Sequence, residues 1–288
     1  MKLLIPMLFL TCLRTFALTS DSVKFSRKNR IAAAHLSIGV VSIAALNTLW
    51  YADYPKSSFH LFNDANNWLY MDKVGHAFSA YALSSVANSS WKWAGLSQKH
   101  AAYLSAGSAW TYQLAVECMD GFSSEWGFSM ADLTANTFGT ALFLAQQNIF
   151  HEQRFQLKYG YKSSQYAALR PTVLGANFPE KLLKDYNAQS YWLCFSPGSF
   201  GHVNFPSWLQ LAFGYSIDGR LKGDASSYSI QNTRYYSHPE YAFSVDIDWK
   251  KLPIKNQRLK QFTRLFTFIK IPFPALYWRN GVAYVGLF

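Results

Sequence analysis

Three stretches decide the fold: DKVGHAFSAYALSSVAN (residues 72–88), QKHAAYLSAGSAWTYQLAVECM (98–119) and SMADLTANTFGTALFLAQQN (129–148). Each is mostly Ala, Ser, Leu, Val and Phe, and each carries a few polar residues at helical spacing. Asp72 and His76 are four apart; Gln113, Glu117 and Asp120 follow a four-then-three pattern; Asp132 and Asn136 are again four apart. Residues three or four apart share one helix face. The spacing therefore predicts helices over Asp72–Asn88, Gln98–Met119 and Ser129–Asn148, with their polar groups clustered inside a bundle or set along its rim.

Signals at the ends of these stretches support the boundaries. Gly121 falls just past the second helix, where a left-handed residue is favoured. Ser129 with Asp132 resembles a capping box that opens the third. Small residues recur at Gly75, Ala80 and Ser84, at Ala102, Ala106 and Ala109, and at Ala135 and Gly139, and they permit close helix approach.

Upstream, Met1–Ala17 reads as a secretory signal: Lys2, an apolar run from Leu3 to Leu10, and Thr15 and Ala17 as small residues suited to cleavage. Cys12 invites a lipoprotein reading, although Thr11 is a poor residue to precede a lipidated cysteine. Without the signal, Cys118 and Cys194 remain, which admits one disulfide and no zinc site, while Cys118 inside an apolar helix suits a buried free thiol. The run Ile31–Trp50 is about long enough to cross a bilayer, diluted by His35, Ser37, Ser42 and Asn47. Residues Tyr51–Tyr70 read as a loop rich in aromatic and breaker residues. The mean hydropathy of −0.05 is low for a chain with many spans, so the expected first half is a compact bundle pressed against a membrane or partly embedded in one.

The chain of 288 residues is half hydrophobic and 18% aromatic, well above average aromatic usage. Its charge is unevenly placed: Leu18–Phe150 holds eight basic and eight acidic residues, and His151 onward holds seventeen basic and eight acidic. Lys250, Lys251, Lys255, Arg258, Lys260, Arg264 and Lys270 fall in one stretch beside Trp249, Phe262, Phe266 and Phe268. In an exported protein such a stretch favours a membrane lipid surface or an envelope protein as partner, and no nucleic acid. A solvated helix face is the plain alternative.

Short strands are expected at Ser190–Phe195, Trp208–Tyr215, Tyr241–Trp249 and Val282–Phe288, and an amphipathic helix over Asn256–Lys270. Phe243, Val245, Ile247 and Trp249 alternate with Ser244, Asp246, Asp248 and Lys250, the pattern of a half-buried strand. The expected fold is thus mainly α: a signal at 1–17, a membrane-associated helical bundle at 18–150, and a smaller basic, aromatic, mixed α/β segment at 151–288.

A histidine beside several carboxylates is raw material for acid–base chemistry or a divalent metal. The candidate site is Asp72, His76, Glu117, Asp120, Asp132 and Asn136, with Lys73 offsetting part of the negative charge. Structural roles are available too. Asp72 and Asp132 fall in first turns, where acids suit the helix dipole, and Asp120 lies in a last turn. The residues name no reaction, cofactor, metal or small-molecule substrate.

Asp72, Lys73, Gly75 and His76, then Glu117, Asp120 and Gly121, then Trp126, Gly127, Phe128, Ser129, Asp132, Asn136 and Gly139 resemble the uncharacterised, YfiM-like family of predicted periplasmic lipoproteins. The same order is similar to the VanZ-like membrane proteins. This likeness covers about Phe59–Gln147. Further on, Lys184, Asp185, Tyr186, Asn187, Gln189, Tyr191 and Trp192, then Pro206, Trp208, Leu209, Ala212, Gly214 and Tyr215, resemble the longer bacterial members. The resemblance implies an exported envelope protein of unknown activity, placed in the periplasm; the chain departs from it in its weak lipidation signal.

Two rival readings stand beside this one. A lipid-phosphate hydrolase is echoed by Lys162, Arg170 and Pro171, then Pro197, Gly198, Ser199 and His202, then Arg234 and His238, but every spacing departs from that signature. The other is a scaffold or assembly factor, in which the polar helix residues only hold the bundle together.

Overall fold

The computed structural model describes residues 21–51, 54–201 and 204–287; the signal reading, Cys12 and His202 lie outside them. The chain divides into two units. One takes the described residues of Cys12–Ala65 and Lys73–Gln153; the other takes those of Asn66–Asp72 and Arg154–Phe288.

The first unit is helical: α1 (Asp21–Leu46), most of α2 (Met71–Trp93), α3 (Gln98–Asp120) and α4 (Met130–Ile149). Its interior is built from small residues. Ala80, Ser84, Ala102, Ser105, Ala106 and Ala109 are buried, and the serine hydroxyls donate back to carbonyls one turn earlier, Ser84 to Ala80 and Ser105 to Ala101. Both hydroxyls are thereby paired within their own helices. Gly139 makes a close approach, because a β-carbon there would collide with the backbone carbonyl of Ala77 in α2. One turn earlier, the same face of α4 carries Asn136 toward His76. Helix α1 rests on α2 and the start of α3 through Ile31 against Trp91, Ala94 and Ala101 and through a 2.8 Å hydrogen bond between His35 Nε2 and Ser90 Oγ. Its Leu36, Val40 and Val41 are exposed.

Gly121 does follow α3, but with φ −56°, an ordinary right-handed value. It is needed for space: the Phe59 ring packs where a β-carbon would stand. Ser129 is the N-cap of α4, its hydroxyl accepting from Asp132 N at 3.1 Å.

The second unit overturns the expected mainly α fold and its small mixed tail. The whole structure is 48% helical and 23% strand, and Arg154 onward is dominated by strands β1 (Phe155–Tyr161), β2 (Gln189–Phe195), β3 (Leu209–Asp218), β4 (Ser227–Ile230), β5 (Thr233–Tyr236), β6 (His238–Ile247), β7 (Pro274–Arg279) and β8 (Val282–Leu287). Short helices α5 (Tyr166–Leu169), α6 (Pro171–Leu174) and α7 (Phe178–Lys184) separate β1 from β2, and α8 (Gln257–Thr263) lies between β6 and β7. Six strands form one antiparallel sheet in the order β1-β2-β3-β6-β7-β8, and β4 pairs with β5 alone. The edge of β1 is met at Tyr159 by the Phe268–Lys270 segment, with Tyr159 N donating to Phe268 O and Lys270 N to Tyr159 O, both 2.8 Å. Strand β1 escaped the sequence reading because its flanks are polar and mixed, and α8 ends at Thr263, well short of Lys270. Both cysteines are free thiols.

The direction of the sheet's faces also reverses expectation. In β6 the polar residues Ser244 and Asp246 are buried, whereas Val245 is exposed and Phe243 and Ile247 are half-buried. The enclosed side holds Trp192, Cys194, Ala212, Ala242, Ala275 and Tyr277 together with a fully buried ion pair, Lys158 Nζ to Asp246 Oδ2 at 2.9 Å. Lys158 also donates to Ile247 O, and Lys270 donates to Val245 O and Ile271 O while its ammonium lies 4.8 Å from the Trp192 ring centre. Lys270 is therefore an interior residue and leaves the exposed basic stretch. Lys158, Asp246 and Lys270 thus find an opposite charge or carbonyls, as burial requires.

The Asn66–Asp72 segment belongs with the sheet. Trp68, Leu69 and Tyr70 take left-handed φ of 51°, 50° and 64°. Trp68 N bonds Gly223 O at 2.8 Å and Leu69 O accepts from Tyr215 Oη at 2.5 Å, bonds that hold the turn in a conformation its residues disfavour.

Candidate functional site

In the helical unit His76 of α2 stands between two acids from two other helices. Its Nδ1 is 3.5 Å from Glu117 Oε1 of α3, and its Nε2 is 3.8 Å from Asp132 Oδ1 of α4. Nδ1 is also 3.3 Å from Asn136 Oδ1, which accepts from Gln113 Nε2 at 2.9 Å. Glu117 is 1% exposed and Asn136 fully enclosed, while the His76 side chain keeps 21% of its surface open. The imidazole is thus partly open to solvent and the carboxyl beside it is enclosed.

Lys73, one turn before Ala77 on α2, sets the local charge. Its Nζ lies 2.8 Å from Asp132 Oδ1 and 2.5 Å from Asp64 Oδ2. Asp64 also accepts from Ser129 Oγ at 2.5 Å. The cap of α4, a loop acid and the α2 lysine are therefore one network. Asp64 was read from the sequence only as a loop breaker. Its role depends on a chain reversal, and a lone acid among asparagines carries no signal of it.

Glu117 completes the cap from another helix. In a capping box the fourth residue returns its carboxylate to the N-cap backbone N–H. Here Asp132 turns to Lys73, and Ser129 N donates instead to Glu117 Oε2 at 3.3 Å. Burial pushes the Glu117 carboxyl up to about 8; nearby His76 opposes this, Asp132 and Asp120 add to it, and the Ser129 N–H again opposes it. Its Oε1 and Asn136 Nδ2 are buried without a hydrogen-bond partner.

The two remaining acids each accept a tyrosine hydroxyl. Asp120, in the last turn of α3, accepts from Tyr51 Oη at 2.7 Å. Asp72 belongs with the sheet-rich unit, where it accepts from Tyr186 Oη at 2.7 Å. The residues that echo a lipid-phosphate hydrolase make local ties: Lys162 to Leu287 O, Arg170 to Leu221 O and Arg234 to Ser227 Oγ.

Residues 60–147 match the model of a family described as predicted periplasmic lipoprotein (DUF2279), whose place is the bacterial cell envelope. The matched span contains His76, Glu117, Asp132, Asn136, Lys73 and Asp64. The likeness to VanZ-like proteins has no counterpart among the matches. No curated protein and no solved structure matches the chain.

Proposed function

From the premise that residues 60–147 carry the domain of the predicted periplasmic lipoproteins, we propose that this exported envelope protein works at a membrane and that His76 and Glu117 form an acid–base pair within it. The observation that carries this reading is the His76 ring set between two acids, one at each nitrogen. A ring so placed can take a proton from one side and release it on the other. Glu117 supplies a carboxyl that stays protonated into the neutral range, because burial disfavours its anion. Lys73 holds Asp132 as its charged partner, which separates the roles of the two carboxyl groups. The buried Asn136 Nδ2, which no acceptor meets, favours a small polar guest over an apolar one.

Membrane association is supported by α1, whose Phe25–Leu46 stretch is long and apolar enough to cross a bilayer and exposes Leu36, Val40 and Val41. The alternative, a scaffold without chemistry, treats the same network as a clamp on three helices.

Infrared difference spectroscopy decides between them. A protonated-carboxyl carbonyl band at pH 6 that vanishes in Glu117→Gln, and shifts in His76→Asn, is expected of a proton-sharing pair. A wild-type spectrum without that band returns the cluster to a structural role. Alkaline extraction of membranes separates embedded from peripheral protein, and assay of zinc and manganese in the purified chain tests the metal alternative.

A further inference from the structure

The sheet of the second unit is apolar on its outside and charged on its inside, the reverse of a water-soluble sheet. The strand register makes this systematic. One level reads Tyr159, Tyr191, Tyr215, Tyr241 and Trp278 across five neighbouring strands. The next outward level reads Leu157, Leu193, Phe213, Phe243, Leu276 and Val285 across all six. The one after begins Phe155, Phe195, Leu211 and Val245. None of these side chains is charged, and several are bare: Phe213 is 48% exposed, Tyr241 58% and Val285 75%. The charges of the same strands point the other way. Lys158 pairs with Asp246, and Arg279 with Asp218 and Glu240.

We infer that this outer face lies in the hydrocarbon of a lipid bilayer, with the Tyr/Trp level at one head-group boundary and the segment from Trp249 to Arg264 at the other. Three independent features favour lipid over a protein partner. Aromatic rows at a single level are the mark of strands at a membrane interface, whereas a protein interface would intersperse polar anchors. Buried charge opposite an apolar exterior is the arrangement that hydrocarbon selects and water opposes. Beyond the lower end of β6, Lys255, Arg258 and Arg264 are exposed beside exposed Leu259 and Phe262, a pairing suited to anionic head groups. From Tyr241 to Ile247, the last residue of β6, the chain rises about 20 Å along the strand. At a tilt of about 40° that is roughly 15 Å along the normal, so the strand fits inside the ~25 Å apolar band of membrane strands. On the first three strands the Tyr level is partly covered, Tyr159 Oη donating to Leu182 O in α7 and Tyr215 Oη to Leu69 O, so at that level the open face is that of β6 and β7, and it widens to Phe213 of β3 and Val285 of β8 at the next.

This inference shares membrane residence with the proposed function, which α1 alone could supply, so its test must read the sheet locally. The full chain, with Cys12, Cys118 and Cys194 replaced by serine, takes a single nitrobenzoxadiazole label at Val245→Cys, at Val285→Cys or, as a control on the β4–β5 ribbon, at Ser229→Cys. Each is reconstituted in vesicles of phosphatidylcholine and phosphatidylglycerol with plain or acyl-brominated chains. The expected result is several-fold quenching of the Val245 and Val285 labels by brominated chains with little by aqueous iodide, and the reverse at Ser229. Iodide quenching at both sheet positions in vesicle-bound protein overturns the inference while leaving membrane association intact. Shielding from iodide without quenching by brominated lipid also overturns it, and assigns the face to a protein partner or a second copy. Val285→Cys replaces a largely exposed side chain, so a folding defect at Val245 leaves the test available.

Discussion

Replacing Glu117 by glutamine should stabilise the protein, and increasingly so as pH rises. The carboxyl is held near 8 in the folded state, against an ordinary 4.5. Below pH 4.5 it is protonated whether the chain is folded or not, and its full contribution is present. As pH rises the unfolded chain releases the proton first, so stability drains away until the folded carboxyl also ionises near 8. Between 4.5 and 7 the loss is on the order of 3 kcal/mol, at about 1.4 kcal/mol per pH unit. Glutamine keeps the shape and can still accept from Ser129 N, the bond Glu117 Oε2 makes at 3.3 Å, but it has no proton to lose. Melting temperatures of wild type and Glu117→Gln in one detergent should therefore coincide near pH 4. They should separate by roughly 5–10 °C at pH 7 to 8, from about 2–4 °C per kcal/mol. Parallel pH profiles would refute the reasoning, because they would mean that Glu117 ionises in the fold as readily as in water.

Three other outcomes follow from particular contacts. Asp246→Leu leaves Lys158 charged and buried and should cost about 3–5 kcal/mol, whereas Lys158→Met with Asp246→Leu should recover most of it; a double-mutant cycle by denaturant titration checks both. Gly139→Ala forces a β-carbon against the Ala77 carbonyl and should lower stability by about 1–3 kcal/mol, and a crystal structure should show α4 moved from α2 with a longer His76–Asn136 distance. Ser129→Ala removes the α4 cap and the partner of Asp64 and should cost about 1–2 kcal/mol, with faster amide exchange at Asp132 as the local readout.

The sequence by itself determined the helices α2 to α4 and the helix faces that carry their polar residues, because a 3.6-residue period fixes which side chains share a face. It also marked β6, since strict alternation over Phe243–Ile247 leaves little else. Tertiary structure decided the partners. Nothing local distinguishes Glu117, which meets His76, from Asp120, which meets Tyr51 three residues on. Asp64 enters only because a loop folds back onto Lys73 and Ser129. Tertiary structure also decided which side of the sheet is inside. A two-residue alternation separates two faces and is silent on which of them is enclosed; here Lys158 and Asp246 neutralise each other inside, so the polar face could be the buried one.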